Sequence, residues 1–502
     1  MKSLHCATYE GLDAKLVHVE STLTKGLPSF SIVGMVSTAI SEAKERVKSA
    51  LLSNNFSFPP KRITLNLAPS DLKKEGSHFD LCIALLIALD SLEDDISQWA
   101  VFGELGLDGM VKENMQLYPL MLSLANQSLV QKVIVPFESL DKLSKIPNIE
   151  FYGVKTLQEA IDILKNQMGV VASQENSSID FPHYELESEK YYYIKEYSDD
   201  FSDVKGQEIA KRGALIAATG FHNILFEGSP GCGKSMIAKR LKYILPPMRS
   251  EDILDVAKLQ ALEEKEPDFK PRRNMRSPHH SSTLASVFGG GSHKAQIGEV
   301  GLAHGGILFF DELPHFSKNV LEALREPMED GKIRISRVNS KVEYPADFLF
   351  VGAMNPCPCG NLLNHNRECR CSELEIQRYK ARLSDPFLDR VDLNITMASV
   401  NADDKASFSS KDLHKQVLEA HIFSHQRGQK NFNAKLNDKE IEKFCILDED
   451  AKITLDMAIS RFDLSFRSIK KVQKVGRTIA DLDSCELIEK RHILEALSFR
   501  RR

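Results

Sequence analysis

The chain contains no apolar run long enough to cross a bilayer, which takes about 20 consecutive apolar residues. Its longest apolar stretch, Leu81 to Leu89, instead predicts a buried core helix. The N-terminal residues Met1 to Cys6 also lack the apolar segment of a secretory signal peptide. We therefore expect a cytoplasmic protein without a membrane partner, in which the nine cysteines are reduced thiols.

A surplus of basic charge is absent as well. The net charge of the 502-residue chain is −5 at pH 7, and 27% of its residues are charged. Because the chain as a whole is not basic, any binding to nucleic acid must come from a local basic patch. The sequence shows no fixed-period repeat and no long low-complexity tract, and its length predicts about two to four globular domains.

One glycine-rich segment matches G-x-x-x-x-G-K-[ST], the phosphate loop of nucleotide-binding folds. The predicted loop residues are Gly228, Ser229, Pro230, Gly231, Cys232, Gly233, Lys234 and Ser235. Residues 223–227 predict a short buried strand before the loop, and residues 236–245 predict a helix after it. Backbone N–H groups and the helix N-terminus would hold the phosphates. Lys234 would reach the β- and γ-phosphates, and Ser235 would bind Mg²⁺.

Two later segments extend the predicted site. Residues 307–310 predict a central parallel strand, which is followed by Asp311 as a Mg²⁺ ligand and Glu312 as the group that polarises the attacking water. Residues 348–353 predict a second buried strand that ends near Asn355. Asn355 would hydrogen-bond the γ-phosphate or the water, or it would simply form a turn before the next proline.

Arg390 follows a predicted helix end and precedes a predicted strand. A guanidinium group there could reach the γ-phosphate of a neighbouring subunit as an arginine finger. A surface ion pair with Asp389 or Asp392 explains the same residue equally well.

The order of these motifs resembles the YifB/ComM family of AAA+ ATPases in the magnesium-chelatase-like clade. Further segments similar to the signatures of that family are residues 26–34, 66–76, 276–280, 298–306, 325–331 and 475–482. The resemblance therefore covers almost the whole chain and implies an α/β fold. It implies a Lon-like domain over 1–166, a linker over 167–200, an AAA+ core with a parallel sheet over 201–400, and a helical lid over 401–502.

The same resemblance implies a homo-oligomeric ring, a hexamer, with ATP and Mg²⁺ bound between subunits. It makes Asn355 sensor 1, Arg390 the arginine finger and Arg467 sensor 2. It also implies ATP-driven work on DNA, including branch-migration helicase activity during recombination of transforming DNA. The related chelatase subunit implies the alternative, a chelatase-type or protein-remodelling ATPase that acts on a partner protein.

The N-terminal domain resembles the Lon-type proteolytic fold, which cuts peptides with a serine nucleophile and a lysine base. Alignment to that fold places His78 at the nucleophile position and Tyr118 at the lysine position. Because the pKa of tyrosine is about 10, Tyr118 cannot replace the lysine base near neutral pH. We expect no protease activity and a binding or assembly role instead.

Four cysteines form a C-x-C-x₉-C-x-C pattern after the sensor asparagine, and they are Cys357, Cys359, Cys369 and Cys371. Four thiolates are a typical tetrahedral ligand set for zinc, although the C-x-C spacing is tighter than the usual gap of two to four residues. His365 could share the ligation, or the segment could be a loop of reduced thiols.

Residues 332–344 predict a β-hairpin with basic side chains on one strand. In the relatives a hairpin at this position faces the pore of the ring. Lys332, Arg334 and Lys341 are therefore candidate contacts to DNA phosphates. The alternative is a hairpin face that is simply solvated.

Overall fold

The computed structural model describes residues 2–10, 13–90, 95–114, 116–166, 170–171, 179–290, 296–336, 341–364, 367–399 and 404–500. The chain divides into two compact units. The first consists of Met1–Asp180 with Ala257–Phe269, and the second of Phe181–Val256 with Lys270–Arg502. Within the described ranges, no helix has the length and apolar character that a membrane crossing requires.

The first unit alternates strands and helices. Its strands are β1 (Lys2–Glu10), β2 (Asp13–Thr24), β3 (Ser29–Val33), β4 (Arg62–Ala68), β5 (Trp99–Val101), β6 (Glu104–Leu105), β7 (Val111–Lys112), β8 (Lys132–Pro136), β9 (Glu150–Val154) and β10 (Val170–Val171). Its helices are α1 (Thr38–Ser53), α2 (Asp80–Ala88), α3 (Leu117–Asn126), α4 (Leu140–Leu143) and α5 (Leu157–Asn166). The main sheet is mixed and has the order β10-β9-β8-β5-β1-β2-β4-β3, while β6 pairs with β7.

Helix α2 forms the centre of this unit. Its residues from Asp80 to Ile87 are all buried, which confirms the core helix predicted from the apolar run. The carboxylate of Asp80 lies inside this apolar environment and accepts two hydrogen bonds from Arg46, at 2.6 and 3.0 Å. A buried carboxylate is stable only when it is paired in this way.

The second unit contains the remaining elements. Its strands are β11 (His183–Leu186), β12 (Glu189–Tyr192), β13 (Ile224–Gly228), β14 (Met248–Arg249), β15 (Met275–Arg276), β16 (Gly289–Gly290), β17 (Gln296–Ile297), β18 (Ile307–Phe310), β19 (Lys332–Ser336), β20 (Lys341–Pro345), β21 (Leu349–Met354) and β22 (Leu393–Met397). Helices up to the last strand are α6 (Glu208–Gly220), α7 (Lys234–Arg240), α8 (Ser250–Leu262), α9 (Leu284–Phe288), α10 (Glu299–Leu302), α11 (Lys318–Ala323), α12 (Arg325–Asp330), α13 (Glu373–Lys380) and α14 (Asp385–Leu388). The part of α8 from Ala257 onward belongs to the first unit. The C-terminal helices are α15 (Ser410–Gln426), α16 (Asp438–Phe444), α17 (Glu449–Phe462), α18 (Phe466–Leu482) and α19 (Lys490–Ser498).

A five-stranded sheet of order β15-β18-β21-β13-β22 organises the second unit, and all its neighbouring strands are parallel. Strands β18 and β21 are buried at every position, as expected for parallel strands covered on both faces. Residues of the C-terminal helices, such as Val417 and Ile479, belong to the same hydrophobic core as the sheet. The protein therefore has a mixed α/β fold with a parallel sheet.

Residues 183–192, which the sequence placed in a linker, form the hairpin β11–β12 and pair with β14. Tyrosines on and near this hairpin contact three histidines on one face of α15. The hydrogen-bonded pairs are Tyr184 with His421 at 2.8 Å, Tyr191 with His425 at 3.1 Å, and Tyr197 with His414 at 2.9 Å. The sequence did not predict that this hairpin packs against α15, because the segment is acidic and has no periodic apolar pattern.

Acid should weaken this tyrosine–histidine contact. Burial lowers the pKa of His414 to about 4, whereas the unfolded value is about 6.5. The folded protein therefore binds fewer protons, so its stability is complete above pH 6.5 and falls as the pH approaches 4. We expect His414 alone to remove about 2 kcal/mol from the free energy of unfolding at pH 5.

Urea unfolding of the full chain at pH 7.5 and pH 5 measures this loss. His414→Gln should reduce the pH dependence by the contribution of His414, while His183→Gln, at an exposed position of the hairpin, should leave it unchanged. An equal pH dependence for His414→Gln and the parent protein would contradict the assignment.

Candidate functional site

The phosphate-loop segment connects β13 to α7. Strand β13 ends at Gly228, and α7 begins at Lys234. Gly231 and Gly233 have φ values of +80° and +98°, in the left-handed region that favours glycine. The two glycines therefore supply the left-handed backbone positions that the turn between β13 and α7 adopts.

Lys234 connects the loop to the neighbouring strand. Its Nζ donates to the carbonyls of Gly228 at 2.6 Å and Ser229 at 3.0 Å, and to Oδ1 of Asn355 at 3.2 Å. Burial lowers the pKa of Lys234, and the nearby Asp311 opposes that shift. The structure thus brings together the lysine and the asparagine that the sequence selected separately.

Asp311 follows β18 and accepts a 2.7 Å hydrogen bond from Oγ of Ser235. This hydroxyl and this carboxylate are oxygen ligands of the kind that Mg²⁺ prefers. The hydroxyl of Ser229 is buried in the same loop and has no hydrogen-bond partner among the described residues. The donor set therefore fits a nucleotide with its magnesium ion.

Glu312 is exposed next to Asp311 and has a left-handed backbone, with φ of 51° and ψ of 43°. Its N–H donates to the Asp311 carboxylate at 2.9 Å. This conformation costs a residue other than glycine about 1 kcal/mol or more, and such strain concentrates at functional positions. The sequence pattern selected Glu312, but it gave no sign of this backbone conformation.

Arg390 and Arg467 lie beside each other in the second unit, and among the described residues neither hydrogen-bonds to the phosphate loop. Both guanidinium groups contact the carboxylate of Glu329, with Arg467 Nη2 at 3.2 Å from its Oε1. Arg390 also donates to the carbonyls of Arg325 at 2.9 Å and Pro386 at 2.6 Å. The carboxylate that Arg390 contacts is therefore Glu329, which corrects the alternative of an ion pair with Asp389 or Asp392.

The four cysteine thiols after Asn355 lie close together. Cys357 Sγ is 3.4 Å from Cys359 Sγ and 3.7 Å from Cys369 Sγ, and the sulfurs of Cys359 and Cys369 are 3.6 Å apart. Cys371 completes a group whose sulfurs all lie within 4.8 Å of one another. A tetrahedral zinc with Zn–S bonds of about 2.3 Å needs sulfurs about 3.8 Å apart. His365 lies outside the described residues.

The cysteine segment also contacts the phosphate loop. Gly360, with φ of +77°, lies so close that a Cβ added there would be 2.6 Å from Cδ of Pro230. Sequence reasoning missed this contact because nothing in the local pattern pairs Gly360 with Pro230.

In a second group of possible metal ligands, both ring nitrogens of the histidine already have partners. Cys485, Glu489 and His492 offer ligand atoms within 4.8 Å of one another. However, His492 Nδ1 accepts the N–H of Glu489 at 2.9 Å, and its Nε2 lies 3.3 Å from Asp483. These contacts cap helix α19, so the group has a structural explanation.

The basic hairpin is formed by β19 and β20. Lys332 and Arg334 both pair with the carboxylate of Glu343, at 2.7 and 3.2 Å. Lys341 lies opposite Ser336 in the strand ladder, and the turn between the strands, residues 337–340, lies outside the described residues. Glu343 therefore offsets part of the positive charge of this face.

In the first unit, His78 and Tyr118 are both buried in the core. His78 Nε2 hydrogen-bonds to the carbonyl of Ala7 at 2.8 Å, and burial lowers the pKa of this histidine. Tyr118 packs edge-on against the ring of Phe269, with ring centroids 5.3 Å apart. The two residues have packing roles in this unit.

The parallel sheet and the groups at its carboxyl edge define a phosphate-loop ATPase of the AAA+ type. Family models support this class: "Magnesium chelatase, subunit ChlI" matches residues 200–405, "Subunit ChlI of Mg-chelatase" matches 19–139, and "Magnesium chelatase, subunit ChlI C-terminal" matches 407–500. The chain belongs to the YifB/ComM family of magnesium-chelatase-like proteins.

Two relatives match over nearly their full length. Competence protein ComM of Haemophilus influenzae is 38% identical over 98% of this chain and 95% of its own length. The uncharacterized protein YifB of Escherichia coli is 36% identical over 99% of this chain and 96% of its own. The magnesium-chelatase 67 kDa subunit of Chlorobaculum tepidum is 25% identical over 31% of this chain and 23% of its own length.

Gly360→Ala should weaken nucleotide binding about tenfold, because the added methyl group would push the rigid ring of Pro230 and distort the loop. Titration with a fluorescent ATP analogue measures this affinity. Gly428→Ala is the matched control, since Gly428 has the same φ of +77° but nothing within 4 Å of the added Cβ. Equal affinities of the two variants would show that the contact with Pro230 has no effect on the site.

Proposed function

We propose that this protein is an ATP-hydrolysing ring motor that acts on DNA, a branch-migration helicase that supports recombination of transforming DNA in the cytoplasm. The observation that carries the ATPase is the convergence of Lys234, Ser235, Asp311 and Asn355 at one edge of the sheet. Near full-length similarity to a competence protein supports DNA as the substrate.

The site residues have distinct roles in this proposal. Lys234 and the loop N–H groups bind the phosphates, while Ser235 and Asp311 hold Mg²⁺. The bound Mg²⁺ supplies charge neutralisation at the phosphates. Glu312 orients the attacking water and accepts its proton, and Asn355 positions that water from the end of the adjacent strand.

Arg390 completes hydrolysis from the next subunit, and Arg467 acts beside it because both contact Glu329. Arg390 acts as the arginine finger and Arg467 as sensor 2, which requires a homo-oligomer, a hexameric ring in this proposal. Residues 201–400 form the AAA+ core, 401–502 its helical lid and 167–200 the linker, of which residues 183–192 form the hairpin β11–β12. The N-terminal 1–166 form a Lon-like domain without a protease dyad, which serves binding or assembly.

DNA is proposed to contact the basic hairpin through Lys332, Arg334 and Lys341. Forked DNA should raise the ATPase rate of the full chain about fivefold or more, and the effect should weaken with added salt because phosphate contacts release counterions. Lys332→Ala with Arg334→Ala should remove most of the stimulation. Lys411→Ala with Lys415→Ala, an equal change of charge on the exposed face of α15, should keep it.

If forked and single-stranded DNA neither bind at low salt nor change ATP turnover, the DNA motor is excluded. The alternative is then a chelatase-type or protein-remodelling ATPase. The partial similarity to a magnesium-chelatase subunit favours that alternative, and stimulation of turnover by a partner protein would support it.

The cysteine cluster is proposed to hold one structural zinc ion. The separations among the sulfurs of Cys357, Cys359 and Cys369, 3.4 to 3.7 Å, approach the edges of a ZnS₄ tetrahedron and exceed a disulfide bond by more than 1 Å. The ion would stabilise the segment between Asn355 and Gly360, the glycine that lies against Pro230.

Metal analysis of the purified full chain should find one zinc per chain, and replacement by Co²⁺ should give thiolate-to-cobalt absorption. Changing all four cysteines to serine should abolish both signals. Cys485→Ser, which removes a partly exposed thiol elsewhere, should retain both. Less than about 0.2 zinc per chain in protein prepared without chelators would contradict the site, which needs all its ligands for tight binding.

A further inference from the structure

Glu329 lies between the two arginines near the end of helix α12. Its Oε2 accepts a hydrogen bond from Arg390, and its Oε1 is 3.2 Å from Nη2 of Arg467. One carboxylate therefore occupies both guanidinium groups. None of the sequence motifs assigned a role to Glu329.

Arg390 does not depend on Glu329 for its position. The carbonyls of Arg325 and Pro386 already fix its Nε and Nη1, and its side chain is only 11% exposed. Arg467 is 39% exposed, and the ion pair places it beside Arg390. The main effect of Glu329 is therefore to supply negative charge where two like charges meet.

Glu329 is ionised in this setting. Partial burial opposes the charge, but the guanidinium groups of Arg467 and Arg390 outweigh it and lower the pKa of Glu329. Its side chain remains 45% exposed, so another anion can approach the same two arginines.

The surroundings favour such an anion. Arg390 and Arg467 line a cavity of about 660 Å³ whose wall also includes Lys471 and Arg500. The lining holds five basic side chains against three aspartates, and Glu322 pairs with one of the five, Arg325, at 2.6 Å. One positive charge is therefore in surplus before Glu329 is counted. A phosphate group is the anion whose geometry suits two guanidinium donors.

We infer that Glu329 is an internal competitor that occupies the paired arginines until the γ-phosphate of ATP on a second copy of this chain displaces it. The inference rests on the proposed shared site, because it needs the arginines to serve a neighbouring subunit. Glu329 thereby sets the ATP concentration and protein concentration at which the ring becomes active. It acts through Arg390 and Arg467 and does not touch the reacting atoms.

Glu329→Gln keeps the shape of the side chain and removes the charge. We expect the KM for ATP to fall about three- to fivefold, and half-maximal ATPase to occur at a lower protein concentration, because a half-exposed ion pair no longer competes. Glu326→Gln is the matched control, since it removes one charge from an exposed position on the same helix. Thermal unfolding of both variants verifies that they fold.

Two results would overturn the inference: a KM for Glu329→Gln equal to that of Glu326→Gln, or a fall in kcat, which would mean that Glu329 supports the arginines. Mixing Lys234→Ala protein with Arg390→Ala protein tests the shared site separately. If the mixture regains ATPase activity that neither protein has alone, the shared site is supported. The KM and kcat of Glu329→Gln then test the role of Glu329 independently of the shared site. If the mixture stays inactive, the shared site fails, and the inference fails with it.

Discussion

Lys234 links the ends of two neighbouring parallel strands through one ammonium group, with hydrogen bonds to the loop carbonyls of Gly228 and Ser229 and to Asn355. A third strand joins through the hydrogen bond between Ser235 and Asp311. Because parallel strands end at one edge of a sheet, the order β18-β21-β13 brings these groups together. The relative positions of these side chains therefore follow from the buried apolar sheet, because each side chain lies in a segment that begins at the end of a strand.

Buried polar contacts join helix α18 to its neighbours. His222 at the entry to β13 hydrogen-bonds to Thr478 at 2.7 Å, and Asp481, one turn further along, pairs at 2.6 Å with Arg427, which directly follows α15. Breaking a buried ion pair costs about 3–5 kcal/mol, so the pair with Arg427 holds this end of α18 against α15. Arg467 lies at the other end of the same helix, where it is half exposed and held by Glu329.

The sequence predicted those parts of the site that depend on local pattern. An apolar run followed by Asp311 and Glu312 indicates a parallel strand and its functional edge, and the glycine spacing indicates the loop around Lys234. The contact between Glu329 and Arg390 joins residues 61 positions apart, and no periodicity encodes such a pair. The hairpin at 183–192 was missed for a similar reason, because its stability comes from histidines more than 200 residues away.

The two clusters of the second unit have complementary charge. The loop combines one lysine with Asp311 and Glu312, and a bound triphosphate carries more negative charge than Lys234 and one Mg²⁺ neutralise. The cavity around Arg390 and Arg467 has a positive surplus when Glu329 does not occupy these arginines. Complementary patches at different places on one chain are compatible with head-to-tail association, in which one patch of each subunit contacts the other patch of the next. Head-to-tail contacts close into a ring when the rotation between subunits permits, and this supports the proposed assembly in which each subunit supplies arginines to the ATP of the next.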